Sequence, residues 1–343
     1  MTEAAMIFTK ELFEGVLRGA YSVSQDADGR LTTCRFTEAQ AKVISERCPN
    51  NVYQQPGMRL DFITDADSIS MEFEYTRFTS RIFMSVDLYE DFVMTYSYKE
   101  ENAFDAKRGA FTHTFEKKGE RRVTVFLPFS CELVFDKIEL SGGSFVRPYT
   151  DYGKFIYMIG DSITHGADCR YTSQSYANIV LRRLDADGMN QGVGGYVFCK
   201  DSLDPELFEG RRRPDIITVA YGTNDWAGKS KESFCRDIDE FFPRLREIYP
   251  DIPVLCITPV FRAAHYVTTK AGTLDFAREY IEKSAKKYDG IYVLDGDKLV
   301  PHIYDYFSDV RLHPNDAGFA TYGVCVSDAV AEILDIEPRL FFI

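Results

Sequence analysis

Hydrophobic and polar positions follow two rhythms along the chain. Between Met58 and Leu140 the period is two. Met71-Glu72-Phe73-Glu74-Tyr75 and Val123-Thr124-Val125-Phe126 alternate as half-buried strands do. This pattern predicts strands over 58–63, 68–75, 82–88, 92–98, 110–115, 122–127 and 133–140. Turns such as Asp65-Ala66-Asp67 and Lys118-Gly119-Glu120 separate some of them. Short strands at such spacing predict a β-sandwich or jelly roll of about 100 residues. Upstream, residues 37–48 read as a helix that Thr37 caps and Cys48-Pro49-Asn50-Asn51 stops. The stretch 8–17 suits a strand or a short helix equally.

A turn-rich joint follows, at Gly142-Gly143-Ser144 and residues 148–153, and the rhythm changes. Phe155-Ile156-Tyr157-Met158-Ile159 is an unbroken apolar run that enters Gly160-Asp161-Ser162. Such a run, closed by a turn, is the signature of a strand buried on both faces of a parallel sheet. Residues 189–193 lead to a second strand end at Gly194-Gly195, and further strands are read over 216–221, 254–259 and 291–294. Helical stretches cover 175–184, 231–249, 273–287 and 315–334. Strand alternating with helix predicts a parallel sheet with helices on both faces. The expected fold class is therefore α/β, with a β-sandwich accessory domain over 1–150 and an α/β domain over 151–343.

Composition narrows the chemistry. The 53 acidic and 40 basic residues give a net charge of −13, which argues against a nucleic-acid or anionic-membrane surface. Arg211-Arg212-Arg213 is the nearest basic run and reads as a solvated loop. No apolar run approaches the ~18 residues of a membrane span. The amino-terminal residues lack the charged-then-apolar pattern of a signal peptide, so a cytoplasmic location is expected, with secretion left open. The eight cysteines are scattered without a Cys-x-x-Cys pair. They read as reduced core thiols, and no metal cluster or cofactor is expected from their spacing.

Four loops carry unusual residues: Gly160-Asp161-Ser162, Gly192-Val193-Gly194-Gly195, Tyr221-Gly222-Thr223-Asn224-Asp225-Trp226 and Asp309-Val310-Arg311-Leu312-His313-Pro314-Asn315-Asp316. The first three are expected at the carboxyl edge of one sheet, where ligands of open α/β sheets bind. Taken singly, each has an ordinary structural reading as a turn, a cap or a loop. Taken together they supply a nucleophile in Ser162, a base in His313 and an orienting acid in Asp309. Oxyanion donors are available in the backbone N–H groups of Ser162 and Gly195 and the amide of Asn224. Trp226, Tyr196 and Asp161 are weaker candidates for lining a substrate site; Asp161 more readily stabilises its turn. His165, three residues past Ser162, is a minor alternative base. Arg311 suits either an ion pair or a substrate contact.

This order of motifs resembles the SGNH (GDSL-type) hydrolase family. Gly160-Asp161-Ser162-Ile163 resembles its serine block, Gly195 its oxyanion glycine, Gly222-Thr223-Asn224-Asp225 its asparagine block and His313-Pro314-Asn315 its histidine block. The resemblance covers about residues 154–335. It implies a flavodoxin-like three-layer α/β/α domain and metal-free esterase chemistry. The family places an aspartate three residues before its histidine; here Val310 holds that position and Asp309 lies four before. Either Asp309 or a backbone carbonyl orients His313, and Asp309 is the favoured reading. Ser85-Val86-Asp87-Leu88-Tyr89 resembles the Gly-x-Asp-Leu-Tyr motif of a β domain that precedes some of these hydrolases, with serine in place of glycine. A jelly roll joined to an SGNH domain also resembles family-two carbohydrate esterases. The implied activity is removal of small O-acyl groups, chiefly acetyl, from a carbohydrate. A short-chain lipid or lysophospholipid esterase and an inactive glycan-binding protein are the alternatives.

Overall fold

The computed structural model describes residues 5–102, 107–309 and 312–340. The chain forms two compact units, and neither is continuous in sequence. Residues up to 35, 53–152 and 170–173 make the first; 36–52, 153–169 and 174 onward make the second. The main boundary thus lies close to the expected residue 150, but two excursions cross it. The expected division into 1–150 and 151–343 is corrected by those segments.

The first unit is a sandwich of two antiparallel sheets. One has the order Ser22–Gln25, Leu31–Cys34, Glu132–Ser141, Ser68–Thr76, Arg108–Thr114, with Met6–Ile7 also paired to Glu132–Ser141. The other has the order Val146–Pro148, Arg59–Thr64, Arg121–Phe126, Met84–Glu90, Val93–Glu100, with Leu17–Arg18 beside Arg59–Thr64. All seven expected strands are present, each end within two residues. Their alternate residues, among them Phe62, Met71, Phe73, Val86, Leu88, Val123, Val125 and Phe135, fill a single apolar core. The ambiguous stretch resolves as a helix, Lys10–Val16, capped by the Thr9 hydroxyl and flanked by two short strands.

Segment 170–173 belongs to this unit because the Ser85–Tyr89 motif grips it. The Thr172 N–H donates to Ser85 Oγ (2.7 Å) and the Ser173 N–H to Asp87 Oδ2 (2.8 Å). The Tyr89 hydroxyl donates to Ser173 Oγ (3.0 Å). Burial raises the Asp87 carboxyl above its ordinary range, although these donors oppose the shift.

The second unit is built on a five-stranded parallel sheet of order Asp187–Gly192, Phe155–Gly160, Ile216–Ala220, Val254–Ile257, Ile291–Leu294. In chain order this is 2-1-3-4-5, the flavodoxin-like arrangement whose switch point lies between its first and third strands. The first, third and fourth strands are buried throughout, as their unbroken apolar runs require. Helix Glu38–Arg47 joins this unit through its polar residues. Gln40, 1% exposed, donates to Gln191 Oε1 and Ser202 O (both 3.0 Å) and accepts from Gln191 Nε2. The last helix, Asp316–Leu334, is long and apolar enough to cross a membrane by length and composition. Its apolar residues are nevertheless committed to the core: the Tyr322 ring packs 4.4 Å from Tyr176, and Phe319, Val326 and Val330 are buried.

Close approach makes one glycine indispensable. A Cβ at Gly192 would lie 2.4 Å from His165 N and 2.6 Å from Thr164 C, inside the short helix that carries Ser162. Gly192→Ala is expected to cost about 1–3 kcal/mol, the usual range for an overpacked core. Thermal unfolding would show a lowered Tm; an unchanged Tm would mean that the helix moves freely away from the strand.

Candidate active site

Three loops leave the parallel sheet at one level, because Gly160 pairs in register with Gly192 on one side and Ala220 on the other. The first loop becomes a one-turn helix, Ser162–His165. Asp161 caps it by accepting from the Ile163 N–H (3.0 Å), and Gly166, at φ 91°, ends it. Burial raises the Asp161 carboxyl to about 7, with Asp225 adding to the shift and the Ile163 N–H, His313 and Arg262 opposing it.

Ser162 and His313 are both 8% exposed, and Ser162 Oγ lies 2.7 Å from His313 Nε2. The other ring nitrogen, Nδ1, is hydrogen-bonded to Asp309 Oδ2. Asp309 Oδ1 also accepts from the backbone N–H groups of His313 (3.0 Å) and Leu312 (3.3 Å). Burial pushes the Asp309 carboxyl up, but the His313 side-chain, backbone and charge interactions outweigh it and hold the group below the carboxylate range. The one-residue offset is therefore absorbed by the loop, and the carboxylate reaches the ring. Val310 and Arg311 lie outside the described residues.

A second carboxylate, which no sequence motif indicates, stands at the same nitrogen. Asp168 Oδ2 is 3.5 Å from His313 Nδ1. Asp168 is 8% exposed and takes φ 79°, an uncommon conformation for a residue other than glycine. Asp168, Asp309 and His313 also offer three ligand atoms within 4.8 Å of one another, close enough to share a cation. In the observed arrangement the hydrogen bonds to Ser162 and Asp309 engage both His313 nitrogens.

The second loop settles which of two glycines offers a donor. The Gly194 N–H donates to His165 Nδ1 (3.1 Å), and the Gly194 carbonyl accepts from Asn51 Nδ2 (2.8 Å) and Cys48 Sγ (3.3 Å). His165, the minor alternative base, is 2% exposed and holds this loop instead. Gly195, at φ 80°, keeps its N–H without an acceptor among the described residues, and so does Ser162 at the start of its helix. In the third loop, one amide hydrogen of Asn224 goes to the Tyr196 carbonyl (2.9 Å), which leaves its second for a ligand. Asp225 ties the two loops together by accepting from the Phe198 N–H (3.1 Å) and Lys229 Nζ (2.6 Å).

The weaker candidates are buried beside the site. Trp226, Tyr196 and Asp161 are 1%, 2% and 4% exposed. They frame the site and present almost no surface to a substrate. The Trp226 indole donates to the Gly272 carbonyl (2.9 Å), so it is a fixed wall. Arg262, in the loop after the fourth strand, was also not singled out by sequence. Its Nη1 donates to Thr223 Oγ1 (3.0 Å), one residue from Asn224. Its position after a parallel strand was the available signal.

Residues 158–321 match the GDSL-like Lipase/Acylhydrolase family. Comparison with curated protein sequences gives no match. Among solved structures, the chain is similar to a salicylyl-acyltransferase, SsfX3, from a tetracycline biosynthetic pathway. The TM-score is 0.76 at 19% identity, over 98% of this chain and 100% of the other. It is similar to a family-two carbohydrate esterase from Cellvibrio japonicus, at TM-score 0.65 and 15% identity over 97% and 98% of the two chains. It is also similar to an acetyl xylan esterase, Est2A, from the rumen bacterium Butyrivibrio proteoclasticus, at TM-score 0.63 and 14% identity over 97% and 98%. These likenesses extend the shared fold across both units. The matched residues 158–321 hold all four loops that carry Ser162, Gly195, Asn224 and His313.

Proposed function

We propose that this hydrolase is a serine esterase that removes small O-acyl groups, acetyl foremost, from a carbohydrate. The observation that carries the esterase reading is the unbroken line Asp309–His313–Ser162, with the N–H groups of Ser162, Gly195 and Asn224 on three loops that leave the same sheet edge. The carbohydrate reading is supported by the likeness to carbohydrate esterases over nearly the whole chain.

In this mechanism Ser162 Oγ attacks the ester carbonyl carbon while its proton passes to His313 Nε2. The carbonyl oxygen becomes an oxyanion, held by the Ser162 and Gly195 N–H groups and the second amide hydrogen of Asn224. The bond to the alcohol oxygen then breaks, and His313 returns the proton to that oxygen. Water attacks the acylated Ser162, gives its proton to His313 and releases the acid, and Ser162 recovers its proton. Throughout, Asp309 accepts from Nδ1–H, holds the tautomer with a bare Nε2 and stabilises the charge that develops on the ring.

Hydrolysis of acetylated oligosaccharides, followed as loss of acetyl mass, tests the substrate class. Preference for octanoyl over acetyl esters would favour the lipid alternative, and failure of Ser162 to react with a fluorophosphonate would favour an inert binding protein. Asn224→Ala is expected to lower kcat by about 10²–10³-fold with KM little changed, because its amide acts on charge present only in the transition state. A rise in KM alone would remove Asn224 from the oxyanion site.

A further inference from the structure

Arg262 is a cation placed beside the ester site with no carboxylate at ion-pair distance among the described residues. It follows the fourth strand of the parallel sheet, whose carboxyl edge also carries the Ser162 and Asn224 loops. Its guanidinium carbon stands 4.9 Å from the centre of the Trp226 ring. Trp226 is itself immobilised: the indole N–H bonds Gly272, and its carbonyl accepts from Thr269 Oγ1 (2.7 Å). A flat cation on a fixed aromatic face is held in one plane. Among the described residues, the guanidinium's single hydrogen-bond acceptor is a neutral hydroxyl, Thr223 Oγ1. Its Nε is buried without an acceptor, and no described carboxylate lies within ion-pair distance of it.

An arginine carries five N–H donors in a rigid fork. Here one is engaged and the group is partly desolvated, so an added anion gains more than it would in water. Burial lowers the Arg262 pKa while the more distant charges of Asp161 and Asp309 raise it. Asp309 is committed to His313, and Asp161 to the cap of its helix. Neither can turn to the guanidinium without dismantling the site. The shape that completes the fork is a planar carboxylate.

We propose that Arg262 is a specificity-determining residue that binds a carboxylate on the substrate, close to the scissile ester. This rests on the esterase reading and narrows it to acidic esters. The carboxylate belongs either to the acyl group, as in a dicarboxylic acid bound through one end, or to the alcohol, as in an acylated sugar acid.

Two matched pairs of esters separate these sources. For the alcohol side the pair is 4-acetoxybenzoate and its methyl ester; for the acyl side it is the 4-nitrophenyl monoester of succinate and 4-nitrophenyl butyrate. The wild-type protein is expected to favour the charged member of one pair by roughly tenfold or more in kcat/KM, as one charge-assisted pair provides. Arg262→Ala is expected to cut that ratio at least tenfold, and Arg262→Lys to restore part of it. A ratio near one in both pairs for the wild type overturns the proposal. So does an equal loss on charged and neutral esters in Arg262→Ala, which would mark the arginine as a support for Thr223 and Trp226. If the wild type hydrolyses none of the four esters, it is the esterase reading that falls, and this inference falls with it.

Discussion

Ser162→Ala is expected to lower kcat on 4-nitrophenyl acetate by on the order of 10⁵-fold and to abolish labelling by a fluorophosphonate. The size follows from what the hydroxyl does: without it there is no acyl-enzyme, and His313 has no proton to accept. The protein should otherwise be intact. Among the described residues Ser162 makes a single side-chain hydrogen bond, to His313, and its helix is fixed by the Asp161 cap and by Gly192 beneath it. A Tm within a few degrees of the wild type, with activity gone, is the expected pair of results. Retained labelling would identify another nucleophile and remove Ser162 from the mechanism.

At Asp309, asparagine is expected to be more damaging than alanine. The asparagine side chain can donate to His313 Nδ1, which stabilises the tautomer with its proton on Nε2. That tautomer cannot accept from Ser162, and losses of about 10⁴-fold have followed from this error in another serine hydrolase. Alanine imposes no tautomer. It also leaves Asp168, already 3.5 Å from Nδ1, to take over the hydrogen bond after a small ring movement. Asp309→Ala should therefore lose on the order of 10–10² in kcat. Asp309→Ala combined with Asp168→Ala should lose far more than the product of the single effects, because each carboxylate covers for the other. Steady-state kinetics of the four variants settles the matter. Equal losses in Asp309→Asn and Asp309→Ala, with strictly multiplicative behaviour in the double variant, would show that Asp168 has no part in holding the ring.

What could be read from the residues alone depended on how local the cause was. Alternation along Ser68–Thr76 and the apolar run Phe155–Gly160 are local, and both strands stand where the pattern puts them. The order of the Ser162, Gly195, Asn224 and His313 motifs was legible because each loop follows an element of one sheet or opens its last helix. The offset at Asp309 was visible, but its outcome depends on the path of a loop. Asp168 was invisible for a different reason. Its meeting with His313 is made across 145 residues by a backbone turn that a lone aspartate does not announce. The roles of Trp226 and Tyr196 were not legible, because an aromatic residue beside a motif looks the same in sequence whether it faces a ligand or the core. Helix Glu38–Arg47 was recognisable as a helix, yet its attachment rests on Gln40 meeting Gln191, a polar match between distant segments that periodicity cannot express.

The two excursions of the chain have an evolutionary consequence. The path changes units after residues 35, 52, 152, 169 and 173. With five changes, no single cut yields both units whole, so recombination at one breakpoint cannot exchange the sandwich as a cassette. A break near residue 150 would strip the hydrolase of the helix whose neighbouring residues Cys48 and Asn51 brace Gly194. It would also strip the sandwich of the segment that Ser85 and Asp87 hold. The two units are therefore constrained to be inherited together, and a lineage that lost the sandwich would have to rebuild the loop next to Ser162.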